Sequence, residues 1–253
     1  MTYLYGLLSP DADPGPAQFD GIEGVTGEVR LSRLPQGVLI HADHDGSDIR
    51  PKRRNLLAHA RILERALGMG TVLPMRFGMV AHDLPAVAAA LAGQQDRLAA
   101  EMIRLQNAVE FGIRVEFERA PALQCLVDAS AALQAERDRL RGDPRTTERD
   151  RAAFGSRLAA ALDRARTDAQ RRVLAALRPR LRDHVIRVPD SDVQVLALDA
   201  LVETGAETDL PAAIDAAART CGFATGLEPI VRMVGPVPPY TFTRLVLPCT
   251  EAA

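Results

Sequence analysis

Residues 109–117, VEFGIRVEF, set the strongest constraint on the fold. Val109, Phe111, Ile113, Val115 and Phe117 fall on one side of a period-two pattern, and Arg114 and Glu116 fall on the other. Successive side chains of a strand point to opposite faces, so this stretch predicts a strand with one buried face. Two apolar-periodic stretches follow it, at 122–141 and 148–177, separated by Gly142-Asp143-Pro144. In the second, Leu158, Leu162, Ala165, Ala169, Val173 and Leu177 form an apolar stripe at helical spacing. Long helices on a short connection predict an antiparallel helical hairpin over 122–177. Beyond it the pattern predicts strands at 183–188 and 193–203 and a helix at 210–221, N-capped by Asp209 and stopped at Gly222. Strands at 227–234 and 240–247 complete the chain.

The order from residue 109 is β, helical hairpin, β, β, α, β. It predicts a modified ferredoxin-like βαββαβ domain over 109–253, with the hairpin inserted at the first helix. The preceding residues, 1–108, read as a separate α+β domain. Strands are expected at 2–8, 22–31 and 37–42, with a loop at Pro10, Pro14, Gly15 and Pro16 and a turn at Pro35-Gln36-Gly37. A helix at 52–67 presents Leu56, Ala60, Leu63 and Leu67 as a stripe and stops at Gly68 and Gly70. Pro74 interrupts the extended run 71–80, which predicts two short strands or an edge strand. Asp83 and Pro85 then open a long helix with Leu84, Ala88, Leu91, Gln95, Leu98, Met102 and Leu105 on one face. The fold class is therefore α+β in two domains.

Composition narrows the function. Of the 253 residues 47% are hydrophobic, enough for a real core, but Trp is absent and the formal net charge is only -2. A near-neutral chain gives no electrostatic case for nucleic acid. The arginines within 137–182 are interleaved with acids, as on a solvated helix face. Cys125, Cys221 and Cys249 are scattered, without a CxxC pair, and signal neither zinc nor a disulfide framework. The opening residues lack a secretory pattern, and no apolar run approaches the roughly 18 residues of a membrane span. The expectation is a cytoplasmic protein with no membrane span, no nucleic-acid partner and no cofactor.

Catalytic signatures are missing. Gly21, Gly24 and Gly27 do not form GxGxxG, and neither a P-loop nor GxSxG occurs. His41-Ala42-Asp43-His44-Asp45 has metal-ligand residue types, but off a helix the two imidazoles have no reason to converge, and it reads as a polar strand-end loop. Glu116 and Glu118 share a strand face and read as solvent-facing, and His59 reads as a packing residue beside an apolar stripe. No catalytic and no metal residues are expected. Two other features fit protein contact. Arg76 and Phe77 stand in Met75-Arg76-Phe77-Gly78, an Arg beside apolar residues as at interface hot spots. Lys52-Arg53-Arg54 open a helix, where the helix dipole disfavours cations; upstream Asp43, Asp45 and Asp48 offset them, or the three dock an acidic partner.

The segment Gly235-Pro236-Val237-Pro238-Pro239-Tyr240-Thr241-Phe242 is stiff, because three prolines fix φ and remove donors. In a following strand Tyr240 and Phe242, two apart, share one face, either filling the core or forming a docking edge. This segment closely resembles the GPWPPYSF-like signature of the gas vesicle GvpF/GvpL family. The resemblance runs through most of the chain. Tyr3-Leu4-Tyr5-Gly6 is similar to that family's YxYG opening, and Asn55, His59 and Leu63-Glu64 resemble its N…H…LE helix. Val72-Leu73-Pro74-Met75-Arg76-Phe77-Gly78 is similar to its VLPMRFG segment, and Val109-Glu110-Phe111-Gly112 to its strand entry. Val237 replaces the family's Trp and Thr241 its Ser, and Leu196-Ala197-Leu198-Asp199 stands where the family carries an Asn.

The resemblance implies a non-enzymatic accessory protein required for gas vesicle formation and associated with the vesicle. It implies contact with the apolar shell protein GvpA, with other accessory proteins, or with both, during nucleation and assembly. The residues expected to form that contact are Arg76, Phe77, Pro238, Pro239, Tyr240 and Phe242. Two other classes stay open on the residues alone. One is a small-molecule enzyme using Arg76, His59 and the 41–45 loop. The other is an oligomerising regulatory domain.

Overall fold

The computed structural model of the protein describes residues 1–15, 19–245 and 250–251. It is a mixed α/β protein with two sheets and, among the described residues, seven α-helices. The chain separates into two compact units: Met1–Glu110 with the segment from Gly235 onward, and Phe111–Val234.

In the first unit, β1 (Thr2–Leu8) is the central strand, buried along its whole length. It pairs antiparallel with β3 (Gly37–Asp43), from Thr2 opposite Asp43 to Leu8 opposite Val38, with a bulge between Leu4 and Gly6. β2 (Val29–Leu34) lies outside β3, so the strand expected at 22–31 begins later. Residues 21–27 instead form a glycine turn, closed by the Gly24 amide on the Gly27 carbonyl at 3.1 Å. On the other side of β1 lie two short strands, β4 (Val72–Pro74) and β5 (Met79–Ala81), as Pro74 predicts. The backbone of β10 (Thr250–Glu251) pairs with β5.

Helix α1 (Arg53–Leu67) packs on this sheet through His59, Ile62, Leu63 and Ala66. The expected stripe was rotated: Leu56 is 43% exposed, and only Leu63 of the four named residues is fully buried. The long helix expected from Asp83 is two helices, α2 (Leu84–Ala92) and α3 (Gln95–Leu105). Asp83 caps the first as read, accepting from the Ala86 amide at 2.8 Å. Gly93 ends it, its amide closing on the Ala89 carbonyl.

The second unit carries a four-stranded sheet in the order β7-β8-β6-β9. β6 (Ala108–Glu116) enters it from the first unit with Phe111, Ile113 and Val115 buried, as the alternation requires. β7 (Asp183–Ile186) pairs antiparallel with β8 (Gln194–Glu203), and β9 (Ile230–Val237) forms an edge. The expected hairpin is three helices: α4 (Arg119–Asp128), α5 (Ala131–Gly142) and α6 (Glu148–Leu177). Ser130 breaks the first stretch by N-capping α5, accepting from the Leu133 amide at 3.3 Å. Thr147 and Asp150 form a capping box that starts α6. Leu162, Ala169, Val173 and Leu177 are its buried residues. α7 (Leu210–Arg219) packs on α6.

The expected strand at 240–247 is absent over its described part. Residues 240–242 are a turn and 243–245 are irregular; 246 and 247 lie outside the described residues, as does Cys249. Prolines 238 and 239 have no amide to give a ladder, and the Pro239 carbonyl accepts from the amides of Phe242 and Thr243 at 3.2 and 2.9 Å. The turn is tied to the first unit. The Thr241 amide and hydroxyl donate to the Glu110 carboxylate at 2.8 and 2.7 Å. Arg104 donates to the Phe242 carbonyl and Arg97 to the Arg244 carbonyl. These bonds explain why the segment from Gly235 groups with residues 1–110, whereas the sequence pattern alone assigns it to the 109–253 domain.

Candidate functional site

The first unit brings the YLYG, N…H…LE and MRFG motifs into one buried network. Tyr3, fully buried on β1, places its hydroxyl 2.8 Å from Nδ1 of His59. His59 Nε2 lies 3.1 Å from the Met75 carbonyl, which can only accept, so Nε2 carries the hydrogen. Nδ1 is then the acceptor and the Tyr3 hydroxyl the donor. The Gly78 amide in turn donates to the Tyr3 oxygen at 3.3 Å. Tyr5 stacks on His59 with ring centroids 5.3 Å apart, and Phe77 meets the same imidazole edge-on at 5.8 Å. The Tyr5 hydroxyl accepts from the Val25 amide at 2.8 Å.

This arrangement requires a neutral imidazole. Burial lowers the His59 pKa to about 4, partly opposed by the Met75 carbonyl. Burial likewise raises both tyrosines, Tyr5 to about 12 and Tyr3 further. A neutral His held by two hydrogen bonds, with its rings packed, is a structural clamp. It holds the turn between β4 and β5, whose Met75 amide also bonds to the Tyr5 carbonyl at 2.8 Å. Gly78 at φ 86° makes the reversal possible, since that backbone region favours glycine. The result is a rigid turn that presents Arg76 to solvent with Phe77 half-buried beside it.

The turn at Pro238–Phe242 distributes its residues differently. Pro238, Pro239 and Phe242 are buried, whereas Tyr240 is 37% exposed. The shared face expected for Tyr240 and Phe242 therefore does not form, because the chain turns between them. Burial, with Glu64 and Glu110 nearby, pushes the Tyr240 phenol up, and Tyr240 in turn bears electrostatically on Tyr3. Of the six residues expected to make contacts, Arg76, Phe77 and Tyr240 reach the surface.

Residues 1–244 match the family described as gas vesicle synthesis protein GvpL/GvpF. The chain belongs to the GvpL/GvpF family of gas vesicle accessory proteins. It is 29% identical over 244 residues to gas vesicle protein F of Streptomyces sp. strain CB03234, covering 96% of this chain and 99% of the relative. Two crystal structures share its fold. GvpF from Anabaena sp. PCC7120 superposes with a TM-score of 0.82 at 20% identity, covering 97% of this chain and 98% of that one. GvpF from Microcystis aeruginosa gives 0.72 at 23% identity, covering 96% and 99%.

The remaining candidates of this GvpL/GvpF chain do not converge. His41 Nε2 lies 2.9 Å from Ser32 Oγ, Asp43 pairs with Arg30, and the Asp45 carboxylate accepts from the Ser47 amide. His44 is buried with its backbone bonded to Met1. An open cleft of about 530 Å³ is lined by Asp43, His44 and Asp45, but neither His41, His59 nor Arg76 lines it. Among the described residues no group of three or more His, Cys, Asp or Glu side chains could hold a metal ion. Glu116 pairs with Arg232 at 3.1 Å, and Glu118 precedes α4, so the two acids do not act together. Sequence reasoning placed His59 as packing; its hydrogen bonds to Tyr3 and Met75, 56 and 16 residues away, carry no signal in a single sequence. Among the described residues no helix is long and apolar enough to cross a membrane.

Proposed function

We propose that this protein promotes gas vesicle formation by binding the shell protein GvpA, other accessory proteins, or both, during nucleation and assembly. The observation that carries the reading is the clamped turn of Met75–Gly78. It shows solvent an arginine beside a half-buried phenylalanine on a backbone held by Tyr3 and His59, with Tyr240 also at the surface. Rigid Arg and aromatic residues at low ordering cost are what interface anchors use. A shell subunit exposes apolar surface before it assembles and aggregates unless that surface is covered. Membership of the gas vesicle accessory family supports the same role, at the vesicle within the cytoplasm.

Two architectural readings accompany it. The element order β6, three helices, β7, β8, α7, β9 and the strand order β7-β8-β6-β9 support a ferredoxin-like plan with an enlarged first helical position. The division of the chain into two compact units, Met1–Glu110 with the segment from Gly235 onward and Phe111–Val234, supports a two-domain reading.

The test is capture of purified GvpA by the full chain, with Arg76→Ala and Tyr240→Ala beside the wild type. Loss of capture by folded variants is expected, together with failure of these variants to restore vesicles in a deletion strain. A folded wild-type protein that captures neither GvpA nor another gas vesicle protein, in a strain whose deletion leaves vesicles intact, overturns the reading.

A further inference from the structure

The start of α1 places cations where a helix favours anions. Lys52 is its N-cap without a side-chain cap bond, Arg53 and Arg54 follow, and the first turn holds no acid. Cations at a helix N-terminus are disfavoured by its dipole. The upstream acids do not offset them by pairing. Asp43 is bound by Arg30, Asp48 by Arg50, and Asp45 by the Ser47 amide. Arg54 borders the cleft that holds those three acids, yet among the described residues none of Lys52, Arg53, Arg54 or Arg61 forms an ion pair. An exposed apolar residue stands among them. At about 3.6 residues per turn, Leu57 lies opposite the buried stripe of His59, Ile62, Leu63 and Ala66. Its neighbours one turn away are Arg53, Arg54 and Arg61. Leu57 is 43% exposed, as is Leu56 at the margin of the same face. Glu64, a turn further on, is the one acid on this helix.

We propose that this face of α1 is a docking surface for an acidic amphipathic helix of a partner protein. The inference does not rest on the reading of the Met75–Gly78 turn. The charge pattern selects the occupant. Three arginines suit bidentate carboxylates, and a leucine between them receives an apolar side chain from the same helix. Two half-exposed leucines are too little apolar area to hold a membrane surface, and the face has no aromatic residue to enter one. A chain of net charge -2 does not favour a polyanion at long range.

The test uses the full chain and a synthetic helix carrying Glu on one face and Leu on the other. The probe is expected to bind and to weaken clearly as salt rises from about 50 to about 300 mM. Arg53→Glu with Arg61→Glu, or the milder Arg53→Gln with Arg61→Gln, is expected to weaken it about tenfold or more. Leu57→Ser is expected to weaken it at unchanged salt dependence, and Arg76→Ala is expected to leave it unchanged. All four residues are exposed, so circular dichroism is expected to show folded variants. Three outcomes overturn the proposal: no binding of the acidic helix, binding indifferent to these substitutions, or equal binding of leucine-free polyglutamate. Preferential binding of anionic phosphatidylserine vesicles overturns it in favour of a lipid surface.

Discussion

The Tyr3 hydroxyl and Nδ1 of His59 meet at 2.8 Å inside the first unit, 56 residues apart in sequence. The Met75 carbonyl fixes the tautomer of His59, so the Tyr3 hydroxyl donates to Nδ1, and His59 Nε2 and the Gly78 amide together hold both sides of the Met75–Gly78 turn. Protonation of His59 would put a hydrogen on Nδ1 and displace the Tyr3 donor.

Stability is therefore expected to fall in acid. Burial holds the folded pKa near 4, below the ordinary His value of 6.5. Between those values the unfolded chain binds more protons, so this contribution is complete above about pH 6.5 and is lost as pH drops towards 4. Its size is roughly 3 kcal/mol over the whole window, at about 1.4 kcal/mol per pH unit. Denaturant titrations of the wild type and His59→Gln at several pH values check it. The stability gap between them is expected to narrow from pH 7 to pH 4, and a constant gap would contradict the clamp.

Gly6 is expected to reject even a methyl group. A Cβ there would stand 2.8 Å from Leu63 Cδ2 and 2.9 Å from the Leu73 carbonyl oxygen. Leu63 and Leu73 are fully buried, so neither has space to retreat. Gly6→Ala is expected to cost about 1–3 kcal/mol, the usual range for overpacking. The midpoint of chemical unfolding measures it, and a cost within error of zero would mean that β1 and β4 are not packed this closely.

Much of this was legible where the physics is local. Strict alternation marked β6, Pro74 split β4 from β5, and Asp83 declared a helix start. Misses occurred where a local signal was outvoted or a distant partner decided. Gly93 and Ser130 each carried a break signal, but apolar spacing on both sides suggested continuous helices. On α1, Leu56 looked like a core residue, yet the buried face runs through His59, because Tyr3 and Met75 supply partners for a polar ring. Tyr240 and Phe242 looked like strand neighbours, but Thr241 turns towards Glu110 and places them in different surroundings.

The bonds from Thr241 to Glu110 anchor that turn. Glu110 is buried, and its two carboxylate oxygens accept the Thr241 amide and hydroxyl. Glu110→Ala removes this acceptor from both half-buried donors, and hydrogen bonds to a charged group contribute about 1.5–3 kcal/mol. Loss of stability in that range is expected, with faster amide exchange at Thr241. Unchanged exchange there would show that the turn is held by other contacts.

Tyr240 and Phe242 should part company when each is truncated. Phe242 is 3% exposed and its carbonyl is held by Arg104, so Phe242→Ala is expected to lose about 3–5 kcal/mol and to express poorly. Tyr240 keeps 37% of its surface in solvent, and its raised phenol stays neutral through the physiological range. Tyr240→Ala is expected to fold with a much smaller loss, measured by thermal unfolding, and to show its defect in binding a gas vesicle protein. Equal destabilisation by the two substitutions would place Tyr240 in the core with Phe242 and leave Arg76 and Phe77 as the exposed part of the expected contact.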